Sequence, residues 1–269
     1  MIPEAFAYRR AASVDEALGL LAAGGVPLAG GHSLIPALRL RLSEPATLVD
    51  IARIPGLSGI RVEGGSLVIG ATTRHHDVAT SPDVAAHARV LAEAAATVGD
   101  QMVRNRGTLG GSLAHAAPHG DLPAVMLALG AEIVVQGASG QRTVAADDFF
   151  TDYYTTALAD GELVTSIRIP GTQSQGAYVK FNRRTLDWAL VGVAVSHGSS
   201  GWRIGLTGVA PTAIRARAAE QALAAGASPA EASLRASEGL DPPEGLDGSA
   251  EYKRHLATVL VRRALERAG

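Results

Sequence analysis

In this 269-residue chain, Gly30-Gly31 and Gly110-Gly111 each lead to a small hydroxyl residue and on into an apolar segment. Gly30-Gly31 precede His32-Ser33 in 26-VPLAGGHSLIPALRLRL-42, and Gly110-Gly111 precede Ser112 in 107-GTLGGSLAHAAPHGDLPAV-125. Glycine admits positive φ and lets backbone come close to a ligand. Successive unpaired N–H groups in such a turn, ahead of a helix, form a concavity suited to phosphate. Two such loops have the chemistry to hold the two ends of a pyrophosphate. A glycine pair alone is more often a simple break in structure, and neither G-x-G-x-x-G nor G-x-x-x-x-G-K-[ST] occurs.

Other constellations carry less. Gly110-Gly111-Ser112-Leu113-Ala114 approaches the nucleophile elbow of serine hydrolases, with His115, His119 and Asp121 close by in sequence. A triad is assembled from separate segments that meet in space, whereas here all its members share one short stretch. His75 and His76 are neighbours, and on a strand they face opposite sides. His115 and His119 have i, i+4 spacing, but Pro118 and Gly120 interrupt the helix that such a metal pair needs. No metal site is expected.

The elements that must position the glycine loops can be outlined. Ser13-Val14-Asp15-Glu16 reads as a capping box opening a helix. The run Val26–Ala29 leads into the first loop, and a short helix is expected from Ser33. Strands are expected at 47–51, 66–71 and 131–136, and a helix from Ser81-Pro82-Asp83 to about Val98. An apolar segment, Leu122–Leu129, follows the second loop. Beyond it, β-branched runs at 162–169, 177–181, 189–196 and 202–210 are separated by turn-like stretches. Helices are expected over 212–225, 229–238 and 249–268. A boundary near 170–176 separates mixed α/β from an antiparallel sheet with helices.

Composition narrows the function classes. Apolar residues make up 47% and charged residues 19%, as in a globular chain. The net charge of −2 and the 4% aromatic content argue against a nucleic-acid surface. Without cysteine, the chain has no disulfide, no thiolate zinc site and no iron–sulfur cluster on its own thiolates. The N-terminal MIPEAFAYRRAAS lacks a signal-peptide core and no membrane span is visible, so a cytoplasmic location is expected.

Four motifs occurring in order, 29-AGGHSLIPALRLRL-42, 70-GATTRHHDV-78, 104-RNRGTLGGSLAHAAPHGDLPAVMLALGA-131 and 180-KFNRRTLDWALVGVAV-195, together resemble the FAD-binding medium subunit of molybdenum hydroxylases. That family includes the flavoprotein subunit of aerobic carbon monoxide dehydrogenase and the flavin domain of xanthine dehydrogenase. The resemblance covers nearly the whole chain. It implies an α+β fold: a two-lobed FAD-binding domain of the vanillyl-alcohol-oxidase type over 1–172 (lobes roughly 1–55 and 56–172), then a small C-terminal antiparallel sheet with helices over 173–269. It implies that Ala29, Gly30, Gly31, His32 and Ser33, with Thr108, Leu109, Gly110, Gly111 and Ser112, hold the FAD diphosphate and adjoining groups. Asp121 stands where the family has an FAD-contacting aspartate, and Val164 and Lys180 match positions near the isoalloxazine. A fixed cation at Lys180 would favour the anionic reduced flavin.

The implied function is electron transfer within an oxidoreductase. Substrate is hydroxylated on a large molybdenum-cofactor subunit, and electrons pass through a small iron–sulfur subunit to this FAD and on to an external acceptor. No catalytic acid, base or nucleophile is expected on this chain. The competing readings are a flavoprotein oxidising a small molecule by itself, and a scaffold that has lost its flavin. Two departures bear on the latter: Ser112 where many relatives have asparagine, and Ala117 where relatives often have an acidic residue, with His119 added nearby.

Overall fold

The protein is described by a computed structural model that covers residues 2–171 and 175–269. The expected domain boundary at 172/173 lies outside the described residues. The first sheet is parallel, with strand Thr47–Asp50 between Ala7–Arg10 and Val26–Leu28. Helix Val14–Ala22 buries Ala17, Leu18 and Leu21 beside it, in a small core with Val49, Ile51 and Leu57. Ser13 caps that helix through the Glu16 N–H, but the Glu16 carboxylate accepts from the Ala12 N–H, so the box closes one residue early.

The second sheet is antiparallel, in the order Ile60–Glu63, Ser66–Gly70, Leu163–Ile169, Glu132–Gly137, Gly140–Ala145. Its strand Leu163–Ile169 arrives last in sequence yet sits at the centre, which ties the ends of this region together. Strand Glu132–Gly137 alternates half-buried and buried residues, as a strand with one face on the core should. The helix expected from Ser81 to Val98 is two helices, Pro82–His87 and Arg89–Thr97. They part at Ala88, whose φ of −149° and ψ of 59° are not helical.

The C-terminal sheet is antiparallel, in the order Gln175–Phe181, Val191–Gly198, Gly201–Thr207, Ile214–Arg215. Helix Ala250–Ala268 lays Leu256, Leu260, Val261 and Leu265 against it, forming a second core. Helix Asp121–Leu129, buried at every position, packs on strands Val191–Gly198 and Gly201–Thr207 of this sheet. It carries no polar face, so its apolar run has no helical stripe to read. At its N-terminal end stands Asp121, facing the cavity described next.

Candidate functional site

Strand Val26–Leu28 ends in the first glycine loop, and helix Leu34–Leu40 follows it. Gly31 sits at a φ of +79°, where a Cβ would also press on the Ile35 side chain. A Cβ on Gly30 would lie 2.2 Å from the Arg106 carbonyl oxygen, so this loop packs directly against the approach to the second. The backbone N–H groups of Gly31, His32, Ser33 and Leu34 have no protein partner among the described residues. The Ser33 side chain does not cap the helix either. Four successive unpaired donors give this turn the chemistry to hold an anion.

The second loop differs. It is the first turn of helix Leu109–His115, capped by Thr108, whose hydroxyl accepts from the Gly111 N–H at 3.2 Å. The Leu109 N–H donates to the Thr73 carbonyl, Gly110 to Ala71 and Ser112 to Thr108. Its donors are thus committed to the protein. Gly110 has no room for a Cβ, because Ala71 backbone lies 2.8–2.9 Å from where that carbon would be. Gly111 is different again: only the Thr108 side chain is near, and the remaining space is open.

The two loops meet in one cavity of about 590 Å³, a size that suits a bound organic ligand. Ala29, Gly30, Gly31, His32, Ser33, Thr108, Gly110, Gly111, Ser112, Asp121, Val164 and Lys180 all line it. Leu109 does not; its side chain is wholly buried in the core. The wall is completed by residues to which the sequence reading gave no cofactor role: Thr72, His75, Glu162 and the segment Leu186–Trp188. A smaller pocket of about 290 Å³ adjoins it through Ala117, Asp187 and Trp188, with Tyr154 and His119 beside them. The helix carrying His115 stops there with Ala116 left-handed, so His115 and His119 diverge. His115 stacks on Tyr154 while His119 Nδ1 meets the Ala189 carbonyl at 3.0 Å.

Lys180 is no lone cation. Its Nζ lies 3.2 Å from the Asp121 carboxylate, with both side chains under a tenth exposed. The Tyr178 hydroxyl donates to the other oxygen of Asp121. Tyr178 and Lys180 are two apart on one strand and so share a face, which is the signal by which Tyr178 could have been found. Burial pushes the Asp121 carboxyl above its ordinary value, against the opposing pull of Lys180 and the Tyr178 hydroxyl. Burial and the Asp121 charge push the Tyr178 hydroxyl up as well, so it remains a donor. Glu162, by contrast, is held below the usual carboxylate range by its hydrogen bond to Arg142. Burial, with His32 nearby, lowers His75 to about 4.

Residues 4–172 match the family described as the FAD binding domain in molybdopterin dehydrogenase, and residues 176–268 match the CO dehydrogenase flavoprotein C-terminal domain. The chain is 45% identical over its full length to the carbon monoxide dehydrogenase medium chain of Hydrogenophaga pseudoflava, covering 98% of that protein. It is 38% identical, again over its full length, to the 6-hydroxypseudooxynicotine dehydrogenase complex subunit alpha of Paenarthrobacter nicotinovorans, covering 96% of it. Among solved structures, a chain of the carbon monoxide dehydrogenase from Hydrogenophaga pseudoflava superimposes with a TM-score of 0.95 at 46% identity, over 100% of this chain and 98% of that one. With both of its halves matched and its full length aligned, this chain belongs to the FAD-binding medium subunits of the molybdenum hydroxylases, a family of oxidoreductase flavoproteins.

Proposed function

We propose that this chain is the electron-transfer subunit of a molybdenum-dependent hydroxylase or dehydrogenase, with its FAD in the cavity between the glycine loops. The observation that carries the reading is the run of unpartnered N–H groups from Gly31 to Leu34, lining a cavity whose other wall includes Gly111. These donors suit the diphosphate, and the bare Gly111 Cα leaves room for it. The remaining site residues follow the same scheme: Ala29, Gly30, His32 and Ser33 on the first side, Thr108, Leu109, Gly110 and Ser112 on the second. Leu109 contributes through the core that holds its loop.

When bound, the FAD supplies the redox chemistry, taking electrons from iron–sulfur clusters of a small partner subunit and giving them to an external acceptor. The chain's own residues hold and tune it. Val164 offers an apolar surface to the ring. Lys180 and Asp121 present a paired charge whose field is that of a dipole, a gentler bias on the flavin than a free cation. Relatives named as a medium chain and as a subunit of a complex support association with a small iron–sulfur subunit and a large molybdenum-cofactor subunit. We read the FAD-binding part as a two-lobed domain of the vanillyl-alcohol-oxidase type over 1–172, with 173–269 as a second domain. The parallel sheet within residues 7–50 and the antiparallel sheet within 60–169 support lobes of roughly 1–55 and 56–172. We further propose a cytoplasmic location; no helix among the described residues is long and apolar enough to cross a membrane.

The test is the visible spectrum of the purified chain, with the cofactor released by heat and identified. One FAD per chain is expected, reducible by dithionite, with no oxidation of small molecules until the partner subunits are added. A chain that stays colourless with FAD supplied, alone and with its partners, would overturn the reading. Turnover by the chain alone would instead make it a self-sufficient oxidoreductase.

A further inference from the structure

Thr72 Oγ1 and His75 Nδ1 are the buried side-chain polar atoms without a hydrogen-bond partner among the described residues. Both residues are about nineteen-twentieths buried, with 5% exposure each, and both line the cavity. The backbone that carries them is fixed along the second glycine loop. The Thr72 N–H donates to the Leu57 carbonyl at 2.8 Å and the His75 N–H to the Gly107 carbonyl at 3.0 Å. In return the second loop donates back to this segment from Leu109 and Gly110. The His75 ring edge is seated on Gly107, whose missing Cβ would stand 2.8 Å from Cδ2 and 2.9 Å from Nε2. His32, in the first loop, is near enough to bear on its charge.

A buried donor or acceptor left unmade costs stability, and native structures keep few of them without a reason. Here two occur on one rigid strip, on one wall of one cavity, between the two glycine loops. Neutral imidazole offers one N–H donor and one acceptor by choice of tautomer, and a threonine hydroxyl offers both. Oxygen atoms of a dinucleotide can satisfy each.

Building on the FAD reading, we propose that Thr72 Oγ1 and His75 Nδ1 are hydrogen-bonding ligands to oxygens of the bound cofactor, its diphosphate foremost.

The test is titration of the full-length chain with FAD, followed by quenching of flavin fluorescence, with thermal melting of the same samples lacking added FAD. Thr72→Val keeps the shape and removes the hydroxyl; Thr72→Ser keeps the hydroxyl. His75→Asn keeps a polar atom near the Nδ1 position; His75→Leu removes both nitrogens. The expected result is about tenfold weaker FAD binding for Thr72→Val and His75→Leu, with near-wild-type binding for the serine and asparagine variants. Thr72→Val should melt no lower than wild type, because it removes an unsatisfied group. Competition with ADP then assigns the bonded oxygens: ADP affinity falls with FAD affinity if they are phosphate, and holds if they are ribityl hydroxyls. Wild-type FAD affinity in both Thr72→Val and His75→Leu overturns the inference while leaving the FAD reading intact. A wild-type chain that binds no FAD overturns both.

Discussion

A side chain at Gly111 has only Thr108 as a close neighbour. The added Cβ stands 2.7 Å from the Thr108 hydroxyl, which must shift to admit it; beyond that contact, Gly111→Asp places a carboxylate in the cavity, where it opposes any bound diphosphate. We expect it to retain its circular dichroism and lose its FAD; flavin at wild-type stoichiometry would sink the loop assignment. Lys180 leads to a different expectation. Its partner Asp121 is buried, and burial outweighs the attraction of the pair, as its raised pKa says. Because the folded-state value lies above the ordinary 3.8, Asp121's contribution to stability is full below about pH 3.8 and declines as pH rises through the folded value. Lys180→Met strips the remaining compensation. It should cost about 3 kcal/mol at neutral pH and progressively less in acid, as Asp121 takes up its proton. Urea denaturation across pH checks this, and a penalty that is flat with pH would mean the pair is not coupled as described. The sequence marked Lys180 as a ring-side cation because a resemblance assigns positions. That a carboxylate 59 residues away neutralises it is tertiary information.

At the scale of elements, Arg203 ties the C-terminal end of the buried helix Asp121–Leu129 to the C-terminal sheet. Arg203, on strand Gly201–Thr207, donates from Nε to the Leu127 carbonyl at 2.9 Å and from Nη2 to Asp147 at 2.6 Å. It adds a second donor to a carbonyl at the helix end, which also accepts from the Gly130 N–H at 3.3 Å. Arg203→Met should cost about 2 kcal/mol, the range for hydrogen bonds to charged groups, read from the urea midpoint. Asp121 sits at the other end of the same helix, so FAD affinity should weaken along with stability; loss of neither would remove Arg203 from this role. Legibility follows a similar logic. Elements with a cap or an alternating face were readable: the helix after Ser13, strand Glu132–Gly137, the last helix. Others were hidden by their composition. Helix Leu109–His115 carries two glycines, poor helix formers, and exists because Thr108 caps it and Ala71 and Thr73 receive its donors. Edge strands Ile60–Glu63 and Gly140–Ala145 are largely exposed; the first alternates over only four residues, and the second carries a single buried apolar residue, Val144.

At the scale of the molecule, the cavity belongs to no single sheet. Its walls come from the loop after strand Val26–Leu28, from strand Leu163–Ile169 with the helices above it, and from Lys180 on the C-terminal sheet. The sequence could show that both glycine loops exist, but not that one presents open donors while the other spends its donors on the protein. That difference is set by Ala71 and Thr73, which chain order places far from the loop. A ligand that touches the parallel, the five-stranded and the C-terminal sheets binds the assembled chain and not its parts, so occupancy must appear as stability. Free FAD at about a hundred times its Kd should add ~2.7 kcal/mol. For a chain of this size that corresponds to a rise in Tm of about 5–10 °C. The C-terminal sheet should melt together with the rest, since Lys180 and Asp121 bridge it to the cavity. Calorimetry with and without FAD reads both points. A single transition moved upward is expected for wild type, and an unmoved one for Gly111→Asp. A wild-type Tm indifferent to saturating FAD would mean that the three sheets do not share the ligand.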